Sequence, residues 1–120
     1  MTKKILLIDD DKDMCSTLKD VLKLDTQFEV EYTISPLDAL DKIKETNYDL
    51  IVVDYKMPEM NGIELLEHIK KMNKTVIVIM LTAFLSNELI EKAQKAGAKK
   101  VLSKFIWPNE ISKQIADILK

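Results

Sequence analysis

Apolar runs of strand length alternate five times with segments whose apolar residues recur at helical spacing, and that rhythm admits few folds. Lys4 to Ile8 reads as a buried strand ending in Asp9-Asp10-Asp11. Met14, Cys15, Leu18, Val21 and Leu22 then recur at helical spacing. Phe28, Val30, Tyr32 and Ile34 alternate with Glu29, Glu31 and Thr33, the mark of an edge strand with one wet face. Ser35-Pro36 predicts a helix start, Ser as N-cap and Pro in the first turn, with Leu37, Leu40 and Ile43 facing inward. Asp49 to Val53 is a third strand, which delivers Asp54. Gly62 opens a helix that buries Ile63, Leu66 and Ile69, and Val76 to Leu81 is a fourth strand ending at Thr82. Ser86 caps a helix carrying Leu89, Ile90 and Ala93, and Gly97 suits the left-handed residue that ends it. Val101 to Ser103 is a short fifth strand closed by Lys104. Pro108 begins the last helix, with Ile111, Ile115, Ile118 and Leu119 inward.

Strands and helices in strict alternation require a parallel sheet covered on both faces, because each right-handed crossover lays its helix against the sheet. The expected fold is therefore α/β, a doubly wound five-stranded sheet in a flavodoxin-like (βα)5 three-layer sandwich. The half-polar second strand and the short fifth fit the two edges of order 2-1-3-4-5. At 120 residues the expectation is one domain, 1–120. The formal net charge is -2 and every basic residue is Lys, so no guanidinium is available to read guanine, and nucleic acid is not an expected partner of this domain. No apolar run is long enough to span a bilayer and no signal-peptide core follows Met1, which points away from a membrane and to the cytoplasm. Cys15 lies on the apolar side of its helix and reads as a packed core thiol. His68, the single histidine, reads as a surface or half-buried residue.

The stretch from Ile51 to Gly62 holds the chemistry. An apolar strand ends in Asp54 and passes through a loop that Pro58 stiffens, and a helix follows. Asp9, Asp10, Asp54, Thr82 and Lys104 all fall at carboxyl ends of strands that are neighbours in this order, where open α/β sheets bind ligands. Several carboxylates close together need raised pKa values or a cation. A hard divalent ion such as Mg²⁺, held by carboxylates, waters and phosphate oxygens, fits that need. An Asp carboxylate is also a nucleophile toward phosphoryl groups, with Lys104 as a second cation and Thr82 as a hydroxyl donor.

In these residues the chain resembles the receiver domain of bacterial two-component response regulators, the chemotaxis-type phosphoacceptor fold, over essentially its full length. The resemblance is carried by Asp9-Asp10, by Asp54 with Met57-Pro58 and Met60-Asn61-Gly62, by Leu81-Thr82-Ala83 and by Lys104. It implies a signalling domain rather than an enzyme with a separate substrate, although one that promotes its own phosphorylation and dephosphorylation. Asp54 would be phosphorylated, and Mg²⁺ would be held by Asp10, Asp54 and the carbonyl of Lys56, with Asp9 contributing through water. Thr82 and Lys104 would bind phosphoryl oxygens. The implied donor is a sensor histidine kinase or histidine phosphotransfer protein, and the implied recipient is a downstream effector protein or a fused output domain. The helix from Ser86, the strand at Val101 and the helix from Pro108 would form the surface that changes.

Two positions depart from the family pattern. Phe105 follows Lys104 where a proline in a cis bond is usual, so either a costly cis bond persists or the loop takes another path. Val101 stands where an aromatic switch residue is frequent, and Phe84, Phe105 and Trp107 are expected to be buried or half-buried structural aromatics. Lys56 and Phe84, each two residues beyond a site residue, are expected to overhang the phosphoryl group and slow its hydrolysis. A haloacid-dehalogenase-like phosphatase is disfavoured because Lys12 and Asp13 stand where a hydroxyl residue would be needed. A flavodoxin-like electron carrier is disfavoured because the acidic loop would repel a flavin phosphate.

Overall fold

The computed structural model describes residues 2–119. Its elements are β1 (Lys3–Ile8), α1 (Lys12–Leu22), β2 (Phe28–Thr33), α2 (Pro36–Glu45), β3 (Leu50–Asp54), α3 (Gly62–Lys71), β4 (Ile77–Thr82), α4 (Asn87–Ala96), β5 (Lys100–Ser103) and α5 (Pro108–Leu119). The five strands form one sheet in the order β2-β1-β3-β4-β5, and every pairing is parallel. This is the expected doubly wound α/β fold.

Alternation along the strands divides the core in two. Leu6, Ile8, Ile51, Val53, Val78 and Met80 point to one face, where they meet Ala39 and Ile43 of α2, Leu65, Leu66 and Ile69 of α3, and Ala93 of α4. Ile5, Leu7, Leu50, Val52, Ile79 and Leu81 point to the other and pack against Leu18 and Leu22 of α1 and Ile111 and Ile115 of α5. The central strands are buried on both faces, which is why they read as unbroken apolar runs.

Helix starts follow local chemistry. Asp11 accepts from the N–H groups of Asp13 and Met14, Ser35 caps α2 ahead of Pro36, and Ser86 accepts from Leu89 N–H. Asn61 and Glu64 form a reciprocal capping box on α3, at 2.9 and 3.0 Å, which the sequence carries as Asn-x-x-Glu. Gly97 ends α4 at φ 115°, in the left-handed region.

Three expectations about apolar side chains fail. Leu37 is 51% exposed because the buried stripe of α2 is Pro36, Ala39 and Ile43, and position 37 lies about 200° around the helix from position 39. Ile34 lies past the end of β2, where the chain turns to let the Thr33 hydroxyl bond Asp38 at 2.8 Å. Phe84, Phe105 and Trp107 are 81%, 78% and 79% exposed, so none takes the packing role expected of it. All three sit in loops, where no strand or helix period directs a side chain inward. Val101, by contrast, is half-buried against the α2–α3–α4 core.

Candidate functional site

Parallel pairing places the ends of β1, β3, β4 and β5 at one edge of the sheet. Ile8 is level with Val53, Asp54 with Leu81, and Thr82 with Ser103. Continuing the alternation, Asp9, Asp54 and Lys104 share the parity of the α1–α5 face, whereas Thr82 has the opposite parity. The first three therefore converge. Lys104 Nζ lies 3.0 Å from Asp9 Oδ2 and 3.3 Å from Asp54 Oδ2. Carboxylate oxygens of Asp9, Asp10 and Asp54 lie within 4.8 Å of one another.

Asp9 and Asp54 are buried, and Asp10 faces solvent. Asp9 Oδ1 accepts the Asp11 N–H at 2.9 Å, but Oδ2 is fully enclosed and accepts no well-directed hydrogen bond, even with the Lys104 ammonium beside it. Burial raises the Asp9 pKa, with the Asp11 N–H and Lys104 opposing. Burial first, and the Asp9 charge second, push Asp54 up to about 7. For Lys104 burial acts downward, and the two carboxylates outweigh it and raise the pKa. Three carboxyl groups served by a single ammonium suit a hard cation, and the donors they offer are all oxygen.

These groups open into a cleft of about 430 Å³ whose lining includes Asp10, Asp54, Lys56, Thr82, Phe84 and Lys104. Thr82 is buried and its Oγ1 accepts the Phe84 N–H at 3.2 Å, which ties the hydroxyl to its own loop. Leu89 and the Glu88–Lys92 pair, 3.1 Å apart, form a wall from α4 that sequence reasoning did not assign to the site. Nothing in their spacing along the chain points to Asp54, and only the seating of α4 brings them to the cleft.

The loop after Lys104 takes the second of its two possible paths. Among the described residues every peptide bond is trans. Lys104 N–H donates to the Thr82 carbonyl at 2.9 Å, and the Ser103 hydroxyl accepts the Phe105 N–H at 3.1 Å. Ser103 thus holds the turn that carries Lys104. In the loop after Asp54, Glu59 has φ 72° and the Met60 N–H reaches back to the Pro58 carbonyl at 2.8 Å, a tight γ-turn. Cys15 is buried beneath the site, its thiol 3.5 Å from the Asp9 carbonyl and pushed up to about 12, chiefly by burial. It is a packed core residue, as expected, and His68 is exposed.

The family described as response regulator receiver domain matches residues 5–116. The chain belongs to that family. As a receiver, it is similar to the chemotaxis protein CheY of Halobacterium salinarum, 32% identical over 120 residues that cover 99% of this chain and 98% of the relative. The sporulation initiation phosphotransferase F of Bacillus subtilis is 31% identical, with 100% and 93% covered. The transcriptional regulatory protein ZraR of Salmonella typhimurium is 38% identical over 100 residues, and there the match takes in 83% of this chain but only 22% of the larger regulator. Among solved structures, the CheY-like receiver domain protein from Methanospirillum hungatei superposes with a TM-score of 0.91 at 31% identity, with 99% and 94% covered. The chain is a receiver domain of two-component signal transduction, a signalling domain of the phosphoryl-accepting kind.

Proposed function

We propose that Asp54 is the phosphoacceptor and that residues 1–120 act as one receiver unit. The observation that carries this reading is the convergence of three carboxylates and the Lys104 ammonium on one open cleft at the strand ends. A sensor histidine kinase or histidine phosphotransfer protein is the donor. An Asp54 carboxylate oxygen attacks phosphorus, the P–N bond to the donor histidine breaks, and the imidazole nitrogen leaves with the electron pair and takes up a proton. Asp10, Asp54 and the Lys56 carbonyl would hold Mg²⁺, with Asp9 contributing through water, and the bound ion would supply charge neutralisation at the transferring oxygens. Lys104 leaves its ion pairs to face the incoming phosphoryl oxygens, and the Thr82 hydroxyl turns from Phe84 to donate to them. The domain has no separate substrate to turn over beyond its own phosphorylation and dephosphorylation.

The added charge, about 1.5 to 2 units, draws Thr82 and Lys104 inward and shifts the population of the α4–β5–α5 surface. A downstream effector or a fused output domain reads that surface. A cytoplasmic setting for the reaction is part of the same proposal, and among the described residues no helix is long and apolar enough to cross a membrane.

Intact mass after incubation with a small acyl-phosphate donor tests the reading, with and without Mg²⁺, on the native chain and on Asp54→Asn. One Mg²⁺-dependent phosphoryl adduct, absent from the variant, is expected. Labelling that survives Asp54→Asn, or none under conditions that label another receiver, would overturn it.

A further inference from the structure

The face formed by α3 and α4 holds a second concavity, of about 530 Å³, which shares only Lys92 with the acidic cleft. Ile63 and Ala96 line it, half-buried against the core of the sheet. Lys70 and Lys71 of α3 and Lys92 and Lys95 of α4 complete most of the lining, and Glu67 is the one carboxylate among them. Residues 63, 67, 70 and 71 form one stripe of α3, and 92, 95 and 96 one stripe of α4, so the lysines stand on facing flanks of a single groove.

The positive charge there is only partly neutralised within the protein. Lys92 is 3.1 Å from Glu88, but among the described residues Lys70, Lys71 and Lys95 have no carboxylate within the 4.0 Å of an ion pair. This happens on a chain whose net charge is -2. Lysines in a last helical turn complement the helix dipole, which accounts for a cation near the end of either helix. It does not account for Lys92, which lies mid-helix, or for the apolar surface of Ile63 and Ala96 in the same lining.

We propose that this groove docks an acidic amphipathic helix of a partner protein. The apolar stripe of the guest rests on Ile63, Ala96 and the methylene stems of the lysines, and carboxylates on its two flanks face the four ammonium groups. Each wall is a helix of ten residues, about 15 Å long, which matches roughly three turns of a guest helix. A bilayer is a poorer fit, because none of the large apolar side chains exposed on this protein lines the groove. Nucleic acid is poorer still, since the lining offers neither Arg nor an aromatic ring.

The test uses the full chain without any phosphoryl donor, so it does not depend on the assignment of Asp54. The probe is a fluorescein-labelled synthetic peptide of about eighteen residues, with Leu at i, i+3, i+4 and i+7 and Glu on both flanks. Saturable binding is expected, with amide shifts centred on Ile63 and Ala96. Affinity should fall about tenfold or more for the Lys70→Glu, Lys71→Glu, Lys95→Glu variant and for a peptide with Gln in place of Glu. It should stay within about twofold for Lys23→Glu, Lys44→Glu, Lys113→Glu, which makes the same charge change on other surfaces. The milder Lys71→Gln, Lys95→Gln variant serves if the triple variant is unstable, and it should weaken binding in the same direction. Equal losses in the two charge-reversed variants would reduce the effect to net charge and overturn the proposal. So would shifts centred on Asp54, or phosphatidylglycerol vesicles that retain the chain through these lysines while the peptide does not bind.

Discussion

A β-carbon at Gly62 would lie 2.9 Å from the carbonyl oxygen of Asp54. Its other neighbours would be Met80 Cε at 3.0 Å and Tyr55 Cα at 3.1 Å, and the Gly62 N–H already donates to the Tyr55 carbonyl at 2.7 Å. Two of the three obstacles belong to backbone that cannot swing aside. Although alanine favours helix, Gly62→Ala should therefore destabilise the fold by about 1–3 kcal/mol, and urea unfolding measures this. The strain falls on the segment that carries Asp54, so phosphorylation by the acyl-phosphate donor should slow as well. A fully native denaturation midpoint in Gly62→Ala would show that α3 can withdraw from β3 at no cost.

Lys104 is the only cation beside the buried Asp9 and Asp54 in the ion pairs of the described residues. Removing one partner of a buried pair leaves uncompensated charge behind, so Lys104→Met should cost about 1–3 kcal/mol at pH 8, less than for a fully enclosed pair because the cleft is open. Adding Mg²⁺ should recover part of the loss, if the cation occupies the same acidic cluster. Thermal unfolding at two Mg²⁺ concentrations separates these effects, and a variant as stable as the native chain in both would argue that the lysine is stabilising nothing.

Tyr48 is buried and its hydroxyl donates to Glu31 Oε1 at 3.0 Å. Burial first, and that bond second, push its pKa up to about 12, from 10.0. With the folded value above the unfolded one, its contribution is fully present below pH 10 and is lost as the pH rises through about 12, because only the unfolded chain deprotonates readily in that window. Tyr48→Phe should cost about 1 kcal/mol at pH 8 and progressively less above pH 10. Stability curves for the two chains that stay parallel from pH 8 to 11.5 would contradict this.

Phe84 and Lys56 both line the cleft that opens over Asp54, and Phe84 is 81% exposed at its rim. A bulky ring there restricts in-line approach of water, so the phosphorylated chain should be long-lived. Phe84→Ala with Lys56→Asn should speed hydrolysis about tenfold, equivalent to ~1.4 kcal/mol in the barrier. Decay of the intact-mass adduct gives the rate directly, and an unchanged rate would make both side chains bystanders.

Much of the candidate site is legible in the sequence, for a reason visible in individual residues. Asp9, Asp54 and Lys104 lie at the carboxyl ends of strands that are neighbours in the expected order, so their gathering at one edge follows from the chain, whereas their common face is decided by the pairing register. Thr82 could be placed at the same edge, but not the direction of its hydroxyl, which a two-residue turn to Phe84 decides. Phe84, Phe105 and Trp107 are exposed, contrary to expectation, because an aromatic in a loop obeys no period and its burial depends on backbone that only the assembled fold positions.

The sequence by itself determined the alternation of elements, the parallel sheet with its two covered faces and the edge at which the acids gather, because hydrophobic period and chain handedness act locally. Tertiary structure decided which acid is enclosed and which faces water, how Ser103 carries Lys104 without a proline, and that four lysines on two separate helices meet across one groove. Those outcomes depend on distances between segments far apart in the chain. They exist only once packing brings the segments together.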